Sequence, residues 1–114
     1  MLEDQPDLDV IVVPIGGGGL IAGMAVAAKS VKPGVEMIGA QAARFDAVKA
    51  QIDDVPTNFG GATLAEGIAV RAPAPANVAI ISEHVDRIEA ATEPRLRRRC
   101  LICCPLRKSW QEAR

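Results

Sequence analysis

The run Gly16-Gly17-Gly18-Gly19 constrains this chain more than any other feature. It separates "VIVVPI" (10–15) from "LIAGMAVAAKSV" (20–31). The first is a continuous apolar, β-branched run, the pattern of a strand buried on both faces. The second is rich in Ala, Leu and Met and apolar nearly all round, which reads as a buried helix. Lys29 and Lys32 suit the C-terminal end of that helix, and Pro33-Gly34 stops it. "VEMIGAQ" (35–41) then reads as a second strand. Strand, loop, helix and strand within about thirty residues make a βαβ unit, with its two strands parallel neighbours in an α/β sheet.

Glycine loses more entropy on folding than any other residue. A structural turn here needs one or two glycines, not four. A backbone without Cβ atoms lets a ligand approach closely and turns several N–H groups toward one point. Together with the positive end of the following helix, these groups form an anion site. The loop also succeeds the carboxyl end of a buried strand, where open α/β sheets bind ligands. A phosphate-bearing ligand is expected.

The residues after the loop discriminate between two phosphate motifs. A P-loop needs Gly-Lys-Ser/Thr at the helix start, and this chain has Gly19-Leu20-Ile21. The segment Gly17–Ala22 satisfies the dinucleotide pattern G-x-G-x-x-A. That pattern also wants an acidic residue near the end of the second strand for ribose hydroxyls, and Gln41 stands there. A small Rossmann-like nucleotide-binding module stays open as an alternative.

The rest of the chain is less regular. "LEDQPDLDV" (2–10) reads as a loop or helix end with a turn at Pro6-Asp7. "AARFDAVKAQI" (42–52) has helical spacing, and "DDVPTNFGGA" (53–62) is a loop of turn formers. "TLAEGIAV" (63–70) is a short apolar piece. "APAPANVAIISEHV" (72–85) is punctuated by proline, then helical through Val85, and "VDRIEAAT" (85–92) reads as a last strand. No internal repeat is present. The chain has 114 residues, enough for one small domain and short for a two-lobed enzyme. With 49% apolar residues but only Phe45, Phe59 and Trp110 aromatic, its core must be aliphatic.

"VVPIGGGGLIAGMAVAAK", followed by "GVEMIGAQ" and "TLAEGIAVRAP", resembles the threonine/serine dehydratases of the pyridoxal-phosphate fold-type II group. Tryptophan synthase β chain and serine racemase share that fold. The resemblance covers Met1 to about Thr92. It implies a fragment of a three-layer open α/β sheet, the cofactor pyridoxal 5'-phosphate, a small amino-acid substrate and a homo-oligomeric parent. The implied activity is ammonia-lyase chemistry, deaminating L-threonine or L-serine to a 2-oxo acid. In the family the tetraglycine loop holds the cofactor phosphate. Carried over, this names Gly16, Gly17, Gly18, Gly19 and the N–H of Leu20. Glu66 and Gly67 match the segment that passes the substrate and cofactor ring. On its residues alone, Glu66 reads equally well as a solvated loop carboxylate.

The resemblance also implies what is not here. The family's Schiff-base lysine belongs to a segment that would precede Met1. Lys29, Lys32 and Lys49 read as solvated charges, and Lys108 lacks the context of a catalytic lysine. No catalytic residue is therefore assigned, and the chain alone is expected to be inactive. Some members bind a divalent cation through an acidic residue where Gln41 stands, so no metal site is carried over.

Charge divides the chain. Residues 1–92 carry six Lys/Arg and twelve Asp/Glu, whereas residues 93–114 carry seven and two. Cys100, Cys103 and Cys104 all lie in the second segment. We read 1–92 as part of the larger, cofactor-binding domain. Residues 93–114 read as an atypical basic tail, disordered or frame-shifted. Arg95, Arg97, Arg98 and Arg99 lack the aromatic support of a nucleic-acid surface. The single C-x-x-C spacing lacks the second ligand pair of a zinc site. No run of eighteen apolar residues exists to span a membrane, and the acidic start Met1-Leu2-Glu3-Asp4 is not that of a signal peptide. A cytoplasmic protein is expected. A non-catalytic remnant that associates with an intact homologue is the remaining alternative.

Overall fold

The computed structural model describes residues 1–57 and 60–100. Three parallel strands form one sheet in the order β1 (Val10–Ile15), β2 (Glu36–Ala42), β3 (Arg87–Ala91). The β1–β2 register pairs Val10 with Glu36 and Ile15 with Gln41. Helix α1 (Gly19–Val31) joins β1 to β2, and helices α2 (Ala47–Asp53) and α3 (Pro75–His84) lie between β2 and β3 in the chain. The expected βαβ unit and its parallel pairing are present.

β1 alternates exposed and buried residues along its whole length. Ile11, Val13 and Ile15 point into one cluster with Ile21, Ala22, Ala25 and Ala28 of α1, Val48 of α2 and Ile81 of α3. The three helices thus share one face of the sheet. Each large aliphatic side chain buried there contributes about 1.5–3 kcal/mol. Val10, Val12 and Pro14 face the other way and are exposed. On that second face Leu96 and Arg95 share a cavity with Ala40, Glu89 and Ala91. Residues 93–100 are helical and so begin a further layer.

Three differences from the sequence reading have physical causes. First, α1 is buried along one side only; Leu20 and Val31 are 63% and 69% exposed. Second, the helix expected over 42–52 is split. Ala43–Phe45 form a 3-10 turn, and α2 starts after Asp46, whose backbone (φ −91, ψ 33) leaves the helical region. Third, residues 93–100 are helical where disorder was expected. The N–H of Leu96 bonds the carbonyl of Thr92, which starts a helix there. Cys103, Cys104 and Lys108 lie outside the described residues.

Gly39 lets the layers close. A Cβ there would overlap Ile15 Cδ1 and lie 3.2 Å from Ile21 Cδ1. Both isoleucines are fully buried, so β1 and α1 meet over the bare backbone of β2.

Candidate functional site

The glycine loop runs from the end of β1 directly into α1. Gly18 occupies the N-cap position with φ 88 and ψ −3, in the left-handed region that favours glycine. A Cβ there would also stand 2.7 Å from Ile81 Cδ1. α3 therefore backs the loop at contact distance. On the other side the loop is open, since a Cβ on Gly17 would meet nothing within 4 Å.

The first turn of a helix has four N–H groups without helical acceptors. Among the described residues the N–H groups of Gly17, Gly18, Gly19 and Leu20 donate to no protein acceptor; the first bond across the cap runs from Ala22 N–H to Gly18 O at 3.0 Å. No side chain caps α1, and its first turn carries no acidic residue. These uncommitted donors sit at the positive end of a 13-residue helix, equivalent to about half an elementary charge. No side chain of this turn fills the space the donors face, and the chemistry of such a donor set suits a compact anion.

The second candidate segment lies beside the first. Glu66–Ile68 form a 3-10 turn, and Ile68 Cα is 3.3 Å from the Cβ position of Gly16. The structure thus brings "AEGIAV" onto the base of the glycine loop. Glu66 and Gly67 are exposed. Among the described residues the Glu66 carboxylate has no hydrogen bond or ion pair.

Gln41 turns inward. It is 1% exposed, and its Oε1 accepts the N–H of Lys49 at 3.2 Å in the first turn of α2. A side chain so buried is not presented to ribose hydroxyls, which argues against the dinucleotide alternative.

The described lysines are all engaged by other partners. Lys29 Nζ lies 2.8 Å from Asp86 Oδ2. It stands ten residues along α1 from Gly19, about 15 Å at the helical rise. Lys32 Nζ donates to the carbonyls of Leu8 at 2.6 Å and Pro6 at 3.0 Å. Lys49 Nζ lies 2.6 Å from Asp53 Oδ2, and that hydrogen bond raises its pKa above the ordinary lysine value. A lysine held protonated is a poor nucleophile.

Sequence reasoning missed Asn77. Its Nδ2 donates to the carbonyl of Gly17 at 3.2 Å across sixty residues of chain. An asparagine in a proline-punctuated segment reads as a helix cap, and nothing local signals a long-range bond.

Residues 1–109 match the family described as pyridoxal-phosphate dependent enzyme. The chain belongs to that family. Among relatives of this pyridoxal-phosphate-family chain, an L-threonine ammonia-lyase of Thermotoga maritima is 40% identical over 95 residues, 82% of this chain and 24% of the relative. A catabolic L-threonine dehydratase of Escherichia coli is 39% identical over 99 residues, 85% of this chain and 30% of the relative. Maize serine racemase superposes with a TM-score of 0.80 at 27% identity, over 90% of this chain and 32% of that one. Threonine deaminase isoform 2 from Solanum lycopersicum gives 0.71 at 25% identity, over 80% and 26%. This chain therefore spans about a quarter to a third of the length of these relatives. The fold is that of a fragment of the fold-type II enzymes, as the sequence resemblance implied. The family match also runs past residue 92 into the basic segment.

Proposed function

We propose that this chain is the phosphate-binding part of a pyridoxal-phosphate-dependent ammonia-lyase acting on L-threonine or L-serine. The observation that carries the reading is the set of uncommitted N–H groups from Gly17 to Leu20 at the open N-terminus of α1. They fit a phosphate dianion in number and sign. The donor set is entirely main-chain, so side-chain titration does not tune it.

When bound, pyridoxal phosphate supplies an electron sink for the pair left on the substrate Cα after its proton is removed. The residues of this chain bind and orient. Gly16, Gly17, Gly18, Gly19 and Leu20 hold the phosphate, and the α1 dipole adds to their attraction. Glu66 and Gly67 would border the cofactor ring and the amino-acid substrate once these are bound. This placement is supported by the contact of Ile68 with Gly16. Each described lysine is engaged by a carboxylate or a carbonyl, so the chain holds the cofactor without attaching it. The part that does this lies within residues 1–92.

The parent enzyme in this proposal is cytoplasmic and homo-oligomeric. Among the described residues no helix is long and apolar enough to cross a membrane.

Calorimetric titration of the chain with pyridoxal phosphate and with pyridoxal tests this reading. The phosphate ester is expected to bind saturably and to be displaced by inorganic phosphate, and pyridoxal to bind at least tenfold more weakly. Equal binding of the two would overturn it.

A further inference from the structure

A cradle of N–H groups attracts an anion only if the peptide planes carrying them hold their direction. In a trans peptide the C=O and N–H point to opposite sides. The carbonyl of Gly17 is held on the α3 side by Asn77 Nδ2 at 3.2 Å. The N–H of Gly18, which belongs to the same peptide unit, is therefore turned away from α3, toward the open side of the loop.

Other geometry places Asn77 against Gly18 and Gly19 as well. Its Cβ lies 3.4 Å from the Cβ position of Gly18, and its Nδ2 lies 3.7 Å from that of Gly19. The side chain is part-buried. It does not serve its own helix, since α3 has no side-chain cap and the backbone N–H of Asn77 bonds the carbonyl of Ala74. Its amide group, which at a helix start commonly caps locally, is committed to the glycine loop instead.

We propose that Asn77 is a positioning residue for the phosphate cradle: its hydrogen bond to the Gly17 carbonyl fixes the Gly17–Gly18 peptide with the Gly18 N–H facing the phosphate. The inference rests on the cradle reading of the proposed function. Asn77 itself does not touch the anion. Without it a part-buried carbonyl loses its donor and the peptide plane is free to turn, which weakens anion binding by about three- to tenfold.

The test is titration of the 15N-labelled 114-residue chain with inorganic phosphate and then pyridoxal phosphate, following amide resonances. In the wild type the Gly18 amide and the Asn77 side-chain amide shift together and saturably. Asn77→Ala and Asn77→Leu bind phosphate about three- to tenfold more weakly with a reduced Gly18 shift. Asn77→Gln, which keeps the donor, recovers part of the affinity. Unchanged affinity and Gly18 shift in both Ala and Leu variants would overturn the role of Asn77 alone. Phosphate binding that leaves residues 17–20 unperturbed would overturn the cradle and the inference together. The wild-type titration decides even if the variants fail to fold: a Gly18 shift with no response at the Asn77 side chain overturns the proposal.

Discussion

Lys29 and Asp86 lie 2.8 Å apart, Nζ to Oδ2, and tie the end of α1 to the turn before β3. The same Asp86 oxygen accepts the N–H of Met37 in β2 at 2.7 Å. One carboxylate thus fastens three elements at the end of the sheet opposite the glycine loop. Asp86→Ala removes both bonds. Because the side chain is 43% exposed, solvent screening limits the loss to about 1–2 kcal/mol. Urea denaturation measures it, and Asp86→Asn, which keeps an acceptor for Met37, should lose less.

Acid should loosen this clamp in a defined direction. The hydrogen bond from Lys29, then that from Met37, holds the Asp86 carboxyl below its ordinary value of 3.8. Glu93 is likewise lowered from 4.5, by the Thr63 hydroxyl and then the Leu64 N–H. A carboxyl with a depressed folded pKa contributes stability above its unfolded pKa and loses it as pH falls through the folded value. Unfolding free energy should therefore be flat from pH 7 to about 5 and fall below pH 4. Asp86→Asn and Glu93→Gln should each flatten that acid limb.

Gly39→Ala is expected to destabilise the chain by about 1–3 kcal/mol, because the new methyl overlaps Ile15 Cδ1 between two packed layers. Ile15→Val removes that atom. The double variant should be more stable than the sum of the two single losses, which a double-mutant cycle by thermal denaturation measures.

Adjacent glycines in the loop should answer differently to the same change. Gly18→Ala places a side chain at φ 88 and 2.7 Å from Ile81 Cδ1, at a cost of about 1–3 kcal/mol in stability. Gly17→Ala meets no protein atom within 4 Å, so its stability should stay within about 1 kcal/mol of wild type. Denaturation midpoints of the two variants compare them directly.

The purified chain should not deaminate L-threonine. Lys29, Lys32 and Lys49 are each held by a carboxylate or carbonyl. A coupled assay for the 2-oxo acid checks this, and sustained turnover would refute it.

Much of this was legible in the residues because local pattern and tertiary fold agree. The β-branched run, the four glycines and the Ala-rich run at 10–31 specify β1, the loop and α1 by their order alone. What was not legible depends on the third dimension. The break at Asp46 arises where the Gln41 side chain bonds Lys49 N–H at the start of α2, a contact that helical spacing does not encode. The outer face of α1 is apolar in sequence whether or not anything covers it, so periodicity could not reveal the exposure of Leu20 and Val31. The helix over 93–100 was hidden by its charge, which reads as a solvated tail. Asn77 was invisible for the same physical reason: its partner lies sixty residues away.

Titrating the 15N-labelled chain with pyridoxal phosphate, then treating it with borohydride and mapping the peptides, tests the phosphate cradle most directly. A cradle without its own lysine predicts saturable shifts at residues 17–20, reversed by inorganic phosphate, with no single lysine modified. Shifts that bypass the loop, or stoichiometric modification of Lys29, Lys32, Lys49 or Lys108, would contradict it.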